Sequence, residues 1–316
     1  MLRWTAVPAL AFVVAFGGSL AHFAGDDDSG SRPDPASRAP AGGGHGRLVV
    51  TYSPTVDDAD HGHLGSLALD GSNLQTVIDG GSIGSPSLAS DGGSAAFHRA
   101  TGEQGRPGVP FIYVVPLDGS KPGRRLTRGS DAEIDPAWSP DGHRIAFARR
   151  VRGSFDLFSV RADGSGELRL TDTPGVDEAT PAWSPDGSRI AFSRYEGRLE
   201  RGSGDLWTMN ASGGHERKLL GDEHDYACPS WSPDGRRIAL LKDSLVSVMS
   251  ARGGVPRPLT PAGDFKDSRP SWSPDGTRLA FTRDPGKIFT VNLDGSDVRR
   301  VPFAKSANGV AWVARR

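Results

Sequence analysis

The stretches PAWSPDGHRIAFARR (136–150), PAWSPDGSRIAFSRY (181–195), PSWSPDGRRIALLKD (229–243) and PSWSPDGTRLAFTRD (270–284) are copies of one another. Each unit reads as a strand begun by Trp, a tight turn and a second strand. In Ser-Pro-Asp-Gly, proline presets φ at the second turn position, Asp tolerates the third, and Gly accepts the positive φ that closes the turn. The Arg-Ile-Ala-Phe that follows is apolar on successive rather than alternate residues, the pattern of a strand buried on both faces. A decayed fifth copy, PSLASDGGSAAFHRA (86–100), carries Leu88 where the others carry Trp.

Leu88 and the four Trp residues are separated by 50, 45, 48 and 41 residues. Periods of this size with strand patterning indicate a β-propeller with one blade per repeat, and a blade sandwiched by two neighbours supplies the double burial. A third strand follows in each unit (Asp156–Val160, Asp205–Met209, Lys287–Val291). A second turn comes next, such as Asp118-Gly-Ser or Asp294-Gly-Ser, and then a short outer strand ending in Leu-Thr (Leu126-Thr127, Leu170-Thr171, Leu259-Thr260). At the start of the repeat region, Arg47–Ser53, Gly65–Ser72 and Leu74–Ile78 match the second, third and outer strands of a blade that lacks its Trp strand. The last residues, Gly309–Arg316, hold a Trp strand without a blade. The two halves complete each other. The fold expected is all-β: a six-bladed β-propeller of four antiparallel strands per blade, with blade 1 closed by the C-terminal strand and 45 residues per blade over 47–316.

Composition agrees. With 42 Gly and 24 Pro in 316 residues, the chain is punctuated by turns, against a helical bundle or coiled coil. At 36% hydrophobic, with 7 Trp, 4 Tyr and 13 Phe, it can fill a sizeable core, so wholesale disorder is excluded. Charges nearly cancel, 37 basic against 38 acidic, and no polycationic footprint for nucleic acid remains. Cys228 is the single cysteine, which excludes an internal disulfide, a Cys-based zinc site and a CxxC redox pair.

Residues 1–24 are read as a signal peptide or an N-terminal membrane anchor. Arg3 precedes an uncharged stretch, Trp4–Ala21, with Ser19 and Ala21 at the small-residue positions of a cleavage site. The stretch also reaches the lower limit for a spanning helix, so 4–21 could equally tether the chain. Either way the remainder is placed outside the cytoplasm. Residues 25–46, without aromatics or aliphatics larger than Ala, read as a flexible linker.

The WSPDG-x-x-[IL]-A-[FL] unit resembles the propeller repeat of the TolB family, a relative of WD repeats, over 47–316. The resemblance implies the propeller fold and only weakly a function. The family's namesake is an exported component of an envelope complex and carries a separate N-terminal α/β domain. This chain has a leader and a linker at that place, so that system role is not expected to carry over. Similar propellers precede α/β-hydrolase domains in prolyl oligopeptidase-type enzymes, and no such domain is expected here.

Function on a rigid scaffold concentrates in its variable loops. The Ser-Pro-Asp-Gly and Asp-Gly-Ser turns share one face and hardly vary, whereas the inter-blade loops share the other and differ in length and charge. Before the Pro of each Trp strand stand Ser85, Asp135, Thr180, Cys228 and Arg269, with Gly309 in the closing copy. One carboxylate and no His do not make a metal ring. Two positions earlier, Ile83, Glu133, Glu178, Tyr226, Asp267 and Ala307 contain three carboxylates that would form an acidic collar, or stand as solvated loop charges. Arg149, Arg150, Arg152, Arg194, Arg198 and Arg201 place cations on two neighbouring loops of the same face. Asp57–His63 and Asp222–Asp225 contain cation ligands, but spacing alone supplies no outer shell. Gly80-Gly-Ser-Ile-Gly84 matches a nucleophile elbow but joins two blades, so it is rejected. Trp138, Trp183, Trp231, Trp272 and Trp312 are read as inter-blade core.

The expectation is an exported, monomeric, non-enzymatic propeller without cofactor. It would bind a protein, peptide or glycan through Glu133, Asp135, Glu178, Tyr226, Asp267, Arg269, Arg152, Arg198 and Arg201. The rival is a propeller enzyme, a lyase or lactonase, with a metal in its central channel. Fusion of residues 1–46 to a reporter active only outside the cytoplasm should give an active reporter; an inactive one rejects export.

Overall fold

The computed structural model describes residues 46–54, 61–102, 108–196, 199 and 203–313. The expected leader and most of the linker (1–45), Asp57, Asp58 and Asp60, and Arg198 and Arg201 lie outside the described residues. Among the described residues the chain forms 24 strands and no helix.

Blade 1 begins with β1 (Arg47–Ser53), β2 (His63–Ala68) and β3 (Gln75–Asp79). Blade 2 is β4 (Ser82–Leu88), β5 (Ser94–Ala100), β6 (Pro110–Pro116) and β7 (Arg124–Arg125). Blade 3 is β8 (Glu133–Trp138), β9 (Arg144–Val151), β10 (Ser154–Arg161) and β11 (Leu168–Arg169). Blade 4 is β12 (Val176–Trp183), β13 (Arg189–Glu196), β14 (Gly204–Asn210) and β15 (Arg217–Leu220). Blade 5 is β16 (Tyr226–Trp231), β17 (Arg237–Lys242), β18 (Leu245–Ser250) and β19 (Arg257–Pro258). Blade 6 is β20 (Asp267–Trp272), β21 (Arg278–Arg283), β22 (Lys287–Asn292) and β23 (Arg299–Arg300). The last strand, β24 (Ser306–Trp312), pairs with β1 and becomes the innermost strand of blade 1. The six-bladed reading holds, and the innermost strands touch one another all round the axis.

One detail differs from the sequence reading. Trp does not begin its strand but ends it: Trp138, Trp183, Trp231, Trp272 and Trp312 are the last residues of β8, β12, β16, β20 and β24. In the four copies that carry the full motif, the turn starts at the very next residue, a Ser whose hydroxyl does two jobs. Ser139 Oγ donates to Asp141 Oδ1 at 2.6 Å and accepts from the Arg144 amide at 2.9 Å. Asp141 Oδ1 also accepts the His143 amide at 2.9 Å, and Gly142 takes φ of 74°. The same pattern recurs at Ser184, Ser232 and Ser273. These donors hold the Asp carboxyls below their ordinary range, that of Asp186 at about 2. Wherever the motif occurs, the turn closes through its own Ser and Asp side chains, and the adjoining turn of the same blade donates one further amide to it, as Ala162 does to His143.

Packing explains the Ile-Ala-Phe signature. Ile145, Ala146, Phe147 and Ala148 of β9 are all at 0% exposure, as a doubly covered strand requires. Ile145 and Phe147 lie in a cluster with blade 2, whereas Ala146 and Ala148 lie in one with blade 4. In blade 4, Ile190 and Phe192 face back to blade 3 and Ala191 faces blade 5. Blades 5 and 6 repeat this. At five of the six junctions, large side chains of one blade therefore lie against alanine of its predecessor; between blades 1 and 2 the small position is held by Val49. Six such clusters occur, one at each of the six blade junctions.

Ring closure runs through β24. Leu48 pairs with Trp312, Val50 with Val310 and Thr51 with Gly309. Trp312, 9% exposed, sits in the cluster joining blades 1 and 6. Deleting 309–316 removes the inner edge of blade 1 and should lower the thermal midpoint markedly. Trp312→Ala should cost about 3–5 kcal/mol in urea unfolding. An unchanged midpoint in the deletion would show that the ring closes by another route.

Candidate functional site

The inner strands share one irregularity. Each ladder between first and second strand slips by one residue, between Gly84 and Ser87, Ile134 and Ala137, Ala179 and Ala182, Ala227 and Ser230, and Ser268 and Ser271. A matching shift occurs in blade 1 beside Gly309. At the bulge of blades 2–6, Ser85, Asp135, Thr180, Cys228 and Arg269 adopt left-handed backbone, with φ between 51° and 54°. That conformation costs an ordinary residue of order 1–3 kcal/mol and persists only when its surroundings enforce it. The backbone is constant in blades 2–6, whereas the side chain it presents changes in each of them.

These side chains meet. Asp135 of blade 3 accepts Ser85 Oγ of blade 2 at 2.6 Å and an Arg269 guanidinium N–H at 2.9 Å, both on Oδ1. Blades 3 and 6 are opposite members of a ring of six, so the Asp135–Arg269 pair spans the channel. Burial pushes the Asp135 carboxyl up, but the charges of Arg269 and His98 and the Ser85 hydroxyl outweigh it and hold the group below its usual range. His98, on β5, lies with Nδ1 3.5 Å from the Asp135 amide, and burial lowers its pKa to about 4. Its ring occupies the space above Gly84, where a Cβ would stand 2.5 Å from Nε2. Burial raises the Cys228 thiol to about 11 and the Tyr195 phenol well above its ordinary value, and both feel the Asp135 charge. On the neighbouring bulge, Thr180 shares a hydrogen bond with Ser193 at 3.0 Å.

The acidic collar takes a form the sequence reading did not foresee. Glu133 and Glu178 are at 0% exposure and Asp267 at 2%, neither an open collar nor solvated loop charge. Each pairs with the arginine directly across the hairpin: Glu133 with Arg149, Glu178 with Arg194, Asp267 with Arg283. The arginines lie over aromatic rings, Arg149 4.7 Å from Phe158, Arg194 4.2 Å from Trp207 and Arg283 4.9 Å from Phe289. Glu133 also accepts the Thr127 hydroxyl and the Ile112 amide of blade 2. Burial raises the Glu178 carboxyl against the pull of Thr171 and Arg194. The constant interval is 16 residues. Arg149 and Arg194 are thus strand residues engaged in these pairs rather than free loop cations.

Of the remaining residues, Arg152 is exposed at the β9–β10 turn with φ of 52°. Tyr226 is 1% exposed; its hydroxyl donates to Asp222 at 3.1 Å, and burial first, then Asp222, lifts it to about 12. His224 pairs with Asp243 at 2.7 Å. His63 stacks on Tyr52 with centroids 4.9 Å apart and lies 3.1 Å from Asp79. Among the described residues no group of three or more His, Cys, Asp or Glu is placed to hold a metal ion.

A family model, the TolB beta propeller domain, matches residues 49–314. The chain belongs to the TolB β-propeller family. A TolB homolog of Chlorobium luteolum is 32% identical over 115 residues, 35% of this chain and 24% of that protein. The dipeptidyl-peptidase 5 of Porphyromonas endodontalis is 37% identical over 65 residues, 20% of this chain and 9% of that protein. The chain thus matches less than a quarter of the length of either relative. The crystal structure of TolB from Acinetobacter baumannii superposes with a TM-score of 0.72 at 23% identity, covering 85% of this chain and 67% of that one; this is a likeness of fold.

In this TolB-type propeller the channel cluster is tied together through Asp135 Oδ1. Ser85 donates to a carboxylate that Arg269 also holds and whose affinity for a proton is lowered by that charge. Removing one partner of a largely buried pair leaves the other uncompensated. Arg269→Met should cost about 2–4 kcal/mol, reduced from the fully buried case by the remaining exposure of the arginine. Asp135→Asn combined with Arg269→Met should recover part of that loss in urea unfolding.

Proposed function

We propose that this TolB-type propeller is exported and acts as a binding module for a protein segment on the face of the inter-blade loops. The observation that carries the reading is the channel ring. Five bulges with the same backbone present Ser85, Asp135, Thr180, Cys228 and Arg269, a frame held constant while the recognising groups vary. Strained backbone that repeats around a channel mouth fits a pre-organised contact surface. In this reading Arg269, Asp135 beneath it and exposed Arg152 face the partner, with Arg198 and Arg201 on the adjoining loop; Tyr226, expected among the contacts, is 1% exposed and supports the loop from below through Asp222. Glu133, Glu178 and Asp267 hold the strand ends that carry them. A peptide is the favoured ligand form, a glycan the alternative, and the propeller works as a monomer, tethered through 4–21 if the leader is retained.

Because the collar is buried, charge reversal there would disturb folding, and the informative variants are the ring and rim residues. The soluble propeller (46–316) serves as bait on native envelope extract, followed by calorimetry with the captured protein. Arg152→Glu, and Asp135→Asn with Arg269→Met, should each weaken binding at least tenfold while far-UV spectra stay unchanged. Unaltered affinity in both folded variants would overturn the assignment. Hydrolysis of a peptide library by the purified propeller would overturn the non-enzymatic reading.

A further inference from the structure

The opposite face carries a second feature, visible only when blades are compared position by position. The arginine opening the second strand normally reaches acceptors within its own blade. Arg47 donates to Ser66 Oγ at 2.7 Å, Arg144 to Ser159 Oγ at 2.9 Å and Arg278 to Thr290 Oγ1 at 3.0 Å. In each case the hydroxyl stands two residues before the arginine's cross-strand partner: Ala68, Arg161 or Asn292. A second acceptor stands five residues after that partner: the Gly166 carbonyl for Arg144 at 2.8 Å, and the Asp297 carboxylate for Arg278 at 3.3 Å. In blade 4, Arg189 lies instead 5.6 Å from the Trp231 ring centroid.

Blade 5 breaks the pattern twice. Arg237 pairs across the hairpin with Ser250, so the two acceptor positions fall on Val248 and Val255. Neither side chain can accept a hydrogen bond. Among the described residues no hydrogen bond, ion pair or ring contact engages the Arg237 guanidinium. Val255 is 89% exposed, the most exposed of the large hydrophobics described. These residues line one groove of about 600 Å³ between blades 5 and 6, together with Arg236, Met249 and Arg257. Arg257 donates to the carbonyls of Leu293 and Asp294, which fixes the far wall and leaves its charge in place. Two carboxylates stand near the arginines without a side-chain bond to Arg237: Asp234 accepts from Ser232 and the Arg236 amide, and Asp294, which lines the groove, accepts the Ser296 amide. Asp234 feels the charges of Arg237 and Arg236, and Asp294 that of Arg257, so three arginines face two carboxylates.

We propose that this groove binds an acidic peptide segment of a protein partner. A carboxylate of the segment takes the place of Ser/Thr and Asp as the acceptor for Arg237, and an adjacent aliphatic side chain covers Val255. The complementarity is of two kinds in one site: unengaged guanidinium, which pairs with carboxylate in a two-pronged fashion, and a solvent-facing valine. A free inorganic anion would satisfy only the first. The site is independent of the channel ring on the other face.

The probe is a fluorescein-labelled peptide, Glu-Leu-Asp-Val-Glu with capped ends, titrated by anisotropy against its amide counterpart, Gln-Leu-Asn-Val-Gln. The acidic peptide should bind saturably, and the amide one at least tenfold more weakly. Arg237→Gln should weaken the acidic peptide at least tenfold. So should Val248→Thr combined with Val255→Asp, which restores the internal acceptors and leaves Arg237 itself in place. Asp135→Asn with Arg269→Met, which acts on the channel, should leave the affinity for the acidic peptide unaltered, which separates this site from the channel. Absence of saturable binding, equal binding of the amide peptide, or unchanged affinity in either groove variant would overturn the proposal. Displacement by millimolar citrate as effective as by unlabelled peptide would mark a simple anion site. Phosphatidylglycerol vesicles that displace the probe where unlabelled peptide does not would mark a membrane contact. Either of those results would also overturn it.

Discussion

The molecule depends on one steric relation, large side chains of one blade set against alanines of the one before. Phe147, Phe192 and Phe281 are fully buried because Ala96, Ala146 or Ala239 leaves room beneath them. A ring built this way tolerates little change at a single junction, since close-packed interiors transmit strain rather than absorb it. Burial of each such phenylalanine is worth about 1.5–3 kcal/mol, and the relation of large on small recurs at five of the six junctions. Turns, clasps and channel are positioned by it.

On that apolar frame, polar groups act at the strand ends and on the axis. The carboxylate–arginine–aromatic units of blades 3, 4 and 6 tie first strand to second, and Glu133 also reaches back to the blade before. At the axis Asp135 and Arg269 join opposite blades. A pair of this kind adds little net stability over a well-packed apolar alternative, but it discriminates strongly against arrangements that leave either charge alone. Its value is therefore in fixing which side chains face the channel and at what angle.

The blade count, the closing strand and the tight turns could be read directly from the sequence, because each depends on residues close together in the chain. The burial of Glu133, Glu178 and Asp267 could not be read from those residues alone. It depends on the cross-strand register, although the recurrent 16-residue interval to Arg149, Arg194 and Arg283 is a signal that an antiparallel hairpin would have decoded. His98 escaped notice because the fifth copy had decayed around it. Asp135 and Arg269 were recognised as equivalent positions, yet their meeting follows only once the ring is closed with six members and third neighbours become opposites. The unsatisfied Arg237 shows the converse: nothing in blade 5 alone marks it, and only the other blades reveal what is missing.

The last of the 24 described strands is the one blade 1 needs innermost. Thr51 and Asn308 hydrogen-bond across 257 positions of sequence. During synthesis, at about 5–20 residues per second, blades 2–6 can each complete their own four-stranded sheet as they emerge. Blade 1 cannot; for most of that time its inner edge is an unpaired template open to other chains. Loop-closure entropy must be overcome before this contact forms, so the slow step of folding is expected to be ring closure and not blade formation. A chain interrupted before Trp312 would hold five complete blades and a sixth left adhesive at its inner edge.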